Sequence, residues 1–224
     1  VISLPRFARR LPPALLTALL LVTPAFAAPE KWFGEIDQFI MRDAVSPPPP
    51  ESVVFVGSSS IRLWTSLAQD FRGLSTVNRG FGGSELSDTL FYADRIILPY
   101  KPRVVVIYAG ENDLWAGKAP ETILNDFQML RSKIHAALPA TRIIYLSIKE
   151  SPRRARIRPQ VQLTNKLMSI DCLGDPRCRF VDVTTPLLGP GGQARPELFS
   201  EDQVHLLPAG YAIWAGVLLP YLYQ

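Results

Sequence analysis

Apolar positions along the chain follow two alternating periods. Unbroken runs such as Val53 to Val56, Arg103 to Ala109 (RVVVIYA) and Arg142 to Ile148 (RIIYLSI) have the length and β-branched content of strands buried on both faces. With shorter runs they give five strand candidates, at 52–57, 75–78, 103–109, 142–148 and 179–183. Between them, apolar residues recur three and four apart and predict helices over 60–70, 84–97, 120–138, 156–170 and 208–222. This alternation predicts an α/β fold, a flavodoxin-like three-layer αβα sandwich around a mostly parallel five-stranded sheet. Ahead of it, Trp32, Phe33, Ile36, Phe39 and Ile40 mark one face of a helix over 30–42 that would brace the domain. Pro47 to Pro50 then form an extended connector.

The first strand ends in Gly57 and three serines, within SVVFVGSSSIRLW. Glycine permits a sharp turn, and the serines fall where a helix begins and its N–H groups lack partners. A serine there is either a cap or, at the carboxyl edge of the sheet where open α/β folds bind ligands, a nucleophile. Three more stretches follow predicted strands or precede the last helix: Asn78 to Ser84 (NRGFGGS), Ala109 to Asp113 (AGEND) and Asp202 to His205 (DQVH). The glycines bring backbone N–H groups close to a ligand, and Asn112 either caps the next segment or offers its amide to a developing oxyanion. Asp202 and His205, three apart, can hydrogen-bond, which would hold the imidazole in one tautomer. The chain has two histidines. His135 lies beside the apolar stripe of its helix as a partly exposed surface residue, which leaves His205 as the general base. Together these are the parts of acyl transfer through a tetrahedral intermediate.

Composition changes this picture little. With 224 residues and 47% hydrophobic content the chain can bury one sizeable core. Its net charge of +4 hints at nucleic acid, but of 24 basic residues Arg6, Arg9 and Arg10 lie in the acid-free stretch 1–27. The remainder carries 21 basic residues against 20 acidic ones, without basic runs interleaved with aromatics, so nucleic acid is not an expected partner. Residues 1–27 read as a signal peptide: arginines, the apolar run Leu11 to Val22, and Ala25-Phe26-Ala27 as the cleavage site. The alternative, an uncleaved anchor, meets three prolines between Leu11 and Ala28. The expected organisation is therefore a signal peptide (1–27), an N-terminal helix with its proline-rich connector (28–50) and one domain (51–224). Export to a secreted or periplasmic location would favour a disulfide between Cys172 and Cys178, contributing about 2 kcal/mol. Zinc would need more ligands than two Cys and two His dispersed along the chain supply.

In order and separation, the four stretches resemble the four blocks of the SGNH (GDSL-type) esterases and lipases. In that family a Trp often stands seven positions after the glycine of the first block, and Gly57 and Trp64 match it, which implies Ser59 as the nucleophile. A register ending in Ser60-Ile61 would keep the Ser-Ile pair but lose the glycine, so Ser60 is the fallback. The resemblance further implies Asp202 and His205 as the rest of a triad, and an oxyanion hole from the N–H groups of Ser59 and Gly83 and the Asn112 amide. It implies no metal and no cofactor. Ser58 departs from the family by standing where Asp is usual. The expected substrate is a small-molecule, glycan or lipid ester with a small or medium acyl group. The alternatives are O-acyl transfer to a glycan hydroxyl, or a non-catalytic carbohydrate- or lipid-binding domain. Trp115 would line a substrate pocket or the core. The segment Lys149 to Arg158 (KESPRRARIR) would be a solvated basic loop or would meet an anionic group on the substrate.

Overall fold

The computed structural model describes residues 29–223, so the expected signal peptide over 1–27 lies outside the described residues. Five strands form, each bounded within two residues of its sequence expectation: β1 (Val53–Gly57), β2 (Thr76–Gly80), β3 (Val104–Tyr108), β4 (Arg142–Leu146) and β5 (Cys178–Val181). Their order is β2-β1-β3-β4-β5 and every pairing is parallel. Eight α-helices occur among the described residues: α1 (Phe33–Val45), α2 (Ser59–Arg62), α3 (Leu67–Asp70), α4 (Leu86–Ile96), α5 (Glu111–Trp115), α6 (Pro120–Ala137), α7 (Arg158–Leu173) and α8 (Pro208–Leu222).

Both sheet faces are covered because strand residues alternate sides. Val54, Val56, Val105, Ile107, Ile143 and Tyr145 pack under α1, α4, α6 and α7. Val53, Phe55, Val104, Val106, Ile144 and Leu146 pack under α2, α3 and α8. The order reverses at β1, which pairs with β2 on one side and β3 on the other, so Gly57 stands beside both Gly80 and Tyr108. The loops leaving these three strands meet at the carboxyl edge, where such sheets bind ligands.

Three sequence expectations are corrected in detail. The helix expected over 60–70 breaks into α2 and α3, because Trp64 turns inward against Phe55, Phe71, Tyr211 and Trp214 and donates its indole N–H to Asp70 Oδ2 at 2.6 Å. The helix expected from 156 starts at Arg158, after a 3-10 segment over Pro152–Ile157. Finally, α1 buries Ile36 and Phe39 but leaves Phe33 44% and Ile40 38% exposed, so its apolar stripe is narrower than its sequence pattern. It is tied down by charge instead: Asp43 pairs with Arg79 and accepts from Tyr100 Oη at 2.5 Å, and Asp37 pairs with Arg95.

Cys172 and Cys178 are joined, linking the end of α7 to the start of β5. Among the described residues no helix is long and apolar enough to cross a membrane.

Candidate active site

The site begins with a backbone requirement. Gly57 has φ +124°, and a Cβ there would lie 1.9 Å from the Tyr108 carbonyl oxygen, so the close approach of β1 to β3 excludes any side chain. Ser58 then donates its N–H to that carbonyl at 3.0 Å, and its own carbonyl accepts from Ile61 and Arg62 N–H. Ser58 is therefore the extended residue before α2, and Ser59 the first helical one. Ser58 and Ser60 are buried and Ser59 is half-buried.

Ser59 Oγ lies 2.8 Å from His205 Nε2, across 146 positions of sequence. His205 Nδ1 lies 2.5 Å from Asp202 Oδ2. Asp202 Oδ1 accepts from Ser200 Oγ at 2.8 Å and from the N–H groups of Val204 and His205 at 2.9 Å each. Burial opposes the Asp202 charge, but the bonds from the His205 backbone, its ring, Val204 and Ser200 outweigh it and hold the carboxyl well below the usual range. Ser60, by contrast, accepts at Oγ from Lys149 Nζ at 3.3 Å, so the hydroxyl set against the imidazole is that of Ser59.

The glycine loop is fastened to the same turn. Phe81 N–H donates to the Gly57 carbonyl at 2.9 Å, and Ser84 Oγ reaches that carbonyl at 3.2 Å. Gly83 has φ +72°, and Trp32, just before α1, closes over this loop with its ring edge-on to Phe81. Among the described residues, neither the Ser59 nor the Gly83 N–H has a protein acceptor. Asn112, in α5, donates from Nδ2 to the Ser84 carbonyl at 3.0 Å, which leaves its second amide hydrogen free, and accepts at Oδ1 from Arg154 Nη1 at 3.0 Å. Asp113 receives the first N–H of α4, from Leu86, at 3.1 Å; burial pushes its carboxyl up to about 6, with Lys118 opposing.

A family model for GDSL-like lipases and acylhydrolases matches residues 55–213. The chain belongs to the GDSL-like lipase/acylhydrolase family. Among solved structures, this hydrolase chain is similar to a GDSL-like lipase from Bacteroides thetaiotaomicron, with 20% identity, TM-score 0.71, and 85% of this chain and 98% of that one covered. It is also similar to a catalytic mutant of an acetylxylan esterase from Geobacillus stearothermophilus, with 17% identity, TM-score 0.64, and coverage of 77% and 94%. Among curated proteins, none matches the chain significantly.

Beside the GDSL-type residues lies a charged cluster that sequence reasoning missed. Lys149 is fully buried, and its Nζ donates to Glu111 Oε2, to Tyr108 Oη at 3.1 Å and to Ser60 Oγ. Glu111 also accepts from Tyr108 Oη at 2.9 Å and Ser151 Oγ at 2.8 Å, with Arg154 Nη1 at 3.5 Å. Burial lowers the Lys149 ammonium, opposed by Glu111; burial raises the Glu111 carboxyl, but Lys149 and Arg154 outweigh it and keep it below its ordinary value. The two side chains are thus a closely bonded acid–base pair removed from solvent. The basic segment is thus not simply solvated: Arg158 pairs with Glu150, and Arg156 lies 3.8 Å from the centre of the Trp115 ring. Trp115, 37% exposed, is a surface support for these arginines and not a core residue. His135 is pinned between the Thr141 carbonyl (3.1 Å) and Asp175 (3.4 Å), its side chain only 9% exposed.

Proposed function

We propose that this chain is a serine esterase that hydrolyses carboxylic esters of small acyl groups through an acyl-enzyme on Ser59. The observation that carries the reading is the relay Asp202–His205–Ser59, made from segments far apart in sequence and aligned within hydrogen-bond distance. In this mechanism His205 Nε2 takes the Ser59 proton as Oγ attacks the ester carbonyl, and Asp202 holds the Nδ1–H and stabilises the imidazolium. The oxyanion is met by the free N–H groups of Ser59 and Gly83 and the remaining amide hydrogen of Asn112. His205 then gives its proton to the leaving alcohol and activates the water that releases the acid.

Two further observations support small acyl groups. A cavity of about 230 Å³, with charged walls from Glu111, Lys149, Glu150 and Arg154 and apolar ones from Ile157 and Val161, shares Arg154 with the Asn112 side of the site. It is smaller than pockets for drug-sized ligands. One structural neighbour is an acetylxylan esterase, which makes acetyl esters of a glycan the first natural substrates to try.

The test is hydrolysis of nitrophenyl esters from acetate to octanoate by wild type, Ser59→Ala, Ser60→Ala and His205→Ala, with serine-directed phosphonate labelling located by peptide mass spectrometry. The reading expects activity greatest on short chains, the label on Ser59, and loss in Ser59→Ala and His205→Ala. A label on Ser60, or activity surviving in Ser59→Ala, would overturn it. Acetyl transfer to an added glycan without hydrolysis would make the chain a transferase. Export is part of the same reading, and the protein recovered from the periplasmic or secreted fraction should begin at Ala28.

A further inference from the structure

We propose that Arg154 is a positioning residue for the oxyanion donor: by holding the Asn112 amide oxygen it fixes which end of the amide faces the reacting carbonyl, and it polarises the N–H groups at the other end. This rests on the esterase reading and adds to it a residue outside the triad and the three donors.

The Asn112 amide is nearly symmetric in outline. Its two ends have nearly the same shape and opposite polarity, so a carboxamide free to turn over would present oxygen to the oxyanion half of the time and repel it. Here each end is assigned a partner. Nδ2 donates to the Ser84 carbonyl at 3.0 Å and Oδ1 accepts from Arg154 Nη1 at 3.0 Å. A guanidinium has no acceptor, so it tolerates only the oxygen.

Arg154 is itself held. Its Nη1 lies 3.5 Å from Glu111 Oε1, and its guanidinium carbon 5.3 Å from the centre of the Trp115 ring. Glu111 cannot swing away, since Lys149, Tyr108 and Ser151 occupy its oxygens. The Arg154 guanidinium is a cation at the amide oxygen itself, and its side chain is only 16% exposed. A cation on an amide oxygen draws electrons from the nitrogen and strengthens its N–H as a donor, and the effect is larger where water is scarce. The same segment reaches the other half of the site, where Arg153 N–H donates to the Gln203 carbonyl at 3.1 Å.

The experiment is a double-mutant cycle of Arg154→Gln and Asn112→Ala, with Arg154→Lys as the conservative variant, measured as kcat and KM on nitrophenyl acetate. Circular dichroism and thermal melts confirm that each variant is folded. Removing a whole donor costs about 10²- to 10³-fold, and Arg154→Gln should cost a part of that, roughly 10-fold or more in kcat, with KM within about twofold. Arg154→Lys should recover part of the loss. In the Asn112→Ala background, Arg154→Gln should cost less than about twofold, because the group it acts through is gone. Equal losses with and without Asn112 would overturn the proposal. So would a change in KM alone, which would make Arg154 a wall of the adjoining cavity that touches substrate. An effect on melting temperature without one on kcat would reduce it to a structural residue. A wild type without ester hydrolysis would overturn the esterase reading and this inference with it.

Discussion

Two acid–base pairs flank Ser59, the proposed nucleophile, and they are opposite in setting. Asp202 and His205 sit at the rim, their side chains 47% and 27% exposed; Glu111 and Lys149 sit beneath it at 5% and 0%. In the proposed mechanism the rim pair passes a proton between a hydroxyl, a substrate and water, and its exposure leaves it within reach of all three. The buried pair has no such access to solvent. It joins Ser60, next to Ser59, with Tyr108 at the end of β3, the Ser151 loop and, through Arg154, the Asn112 amide. Exposed pairs contribute little to stability and buried ones are expensive to break, so the two should fail in different ways.

Breaking the rim pair should cost the most activity and little stability. Ser59→Ala or His205→Ala should lower kcat for ester hydrolysis by at least about 10⁴-fold, read by steady-state kinetics, with an almost unchanged urea midpoint. Lys149→Met should do the reverse and cost about 3–5 kcal/mol in urea unfolding, because it strands the Glu111 carboxylate without its ammonium partner. Adding Glu111→Leu to Lys149→Met should return much of that stability, and no recovery would deny the pairing. Asn112→Ala, which stands between the pairs, should cost about 3–4 kcal/mol of transition-state stabilisation as a fall in kcat with the fold intact.

The smallest effect expected is on acid stability. The Asp202 carboxyl is held below its ordinary value in the fold. Its contribution is therefore complete above the unfolded value of about 3.9 and is lost as pH falls through the lower folded one. Wild type and Asp202→Asn should thus differ most in melting temperature above about pH 4 and converge on acidification, by a small amount because the carboxylate is largely in water.

The same contrast explains what the sequence could reveal. Asp202 and His205 are three apart on one loop, so their partnership needs only local geometry. Gly57 declares itself as the residue between a strand and a helix, and its meaning does not depend on distant parts of the chain. Glu111 and Lys149 are 38 residues apart and meet only because β3 and β4 are neighbours in the sheet. In sequence, Lys149 is the first cation of a basic run and Glu111 stands unremarked beside the Asn and Asp of its block. The break between α2 and α3 was equally hidden, since Trp64 leaves the helix for an aromatic cluster assembled from α8 and β1. Apolar period places elements well; it does not reveal polar contacts between elements that only the topology brings together.

The edge-on contact of Trp32 with Phe81 has a practical consequence. A Cβ on Gly83 would lie 3.6 Å from the Trp32 ring, so a residue ahead of the first long helix is the outer wall of the loop that carries the proposed oxyanion donor. A chain trimmed to begin at Ser52 would retain Ser59, Asp202 and His205 yet lose that wall. Where the N-terminus is cut, by a protease or by a cloning boundary, thereby becomes a variable of turnover as well as of solubility.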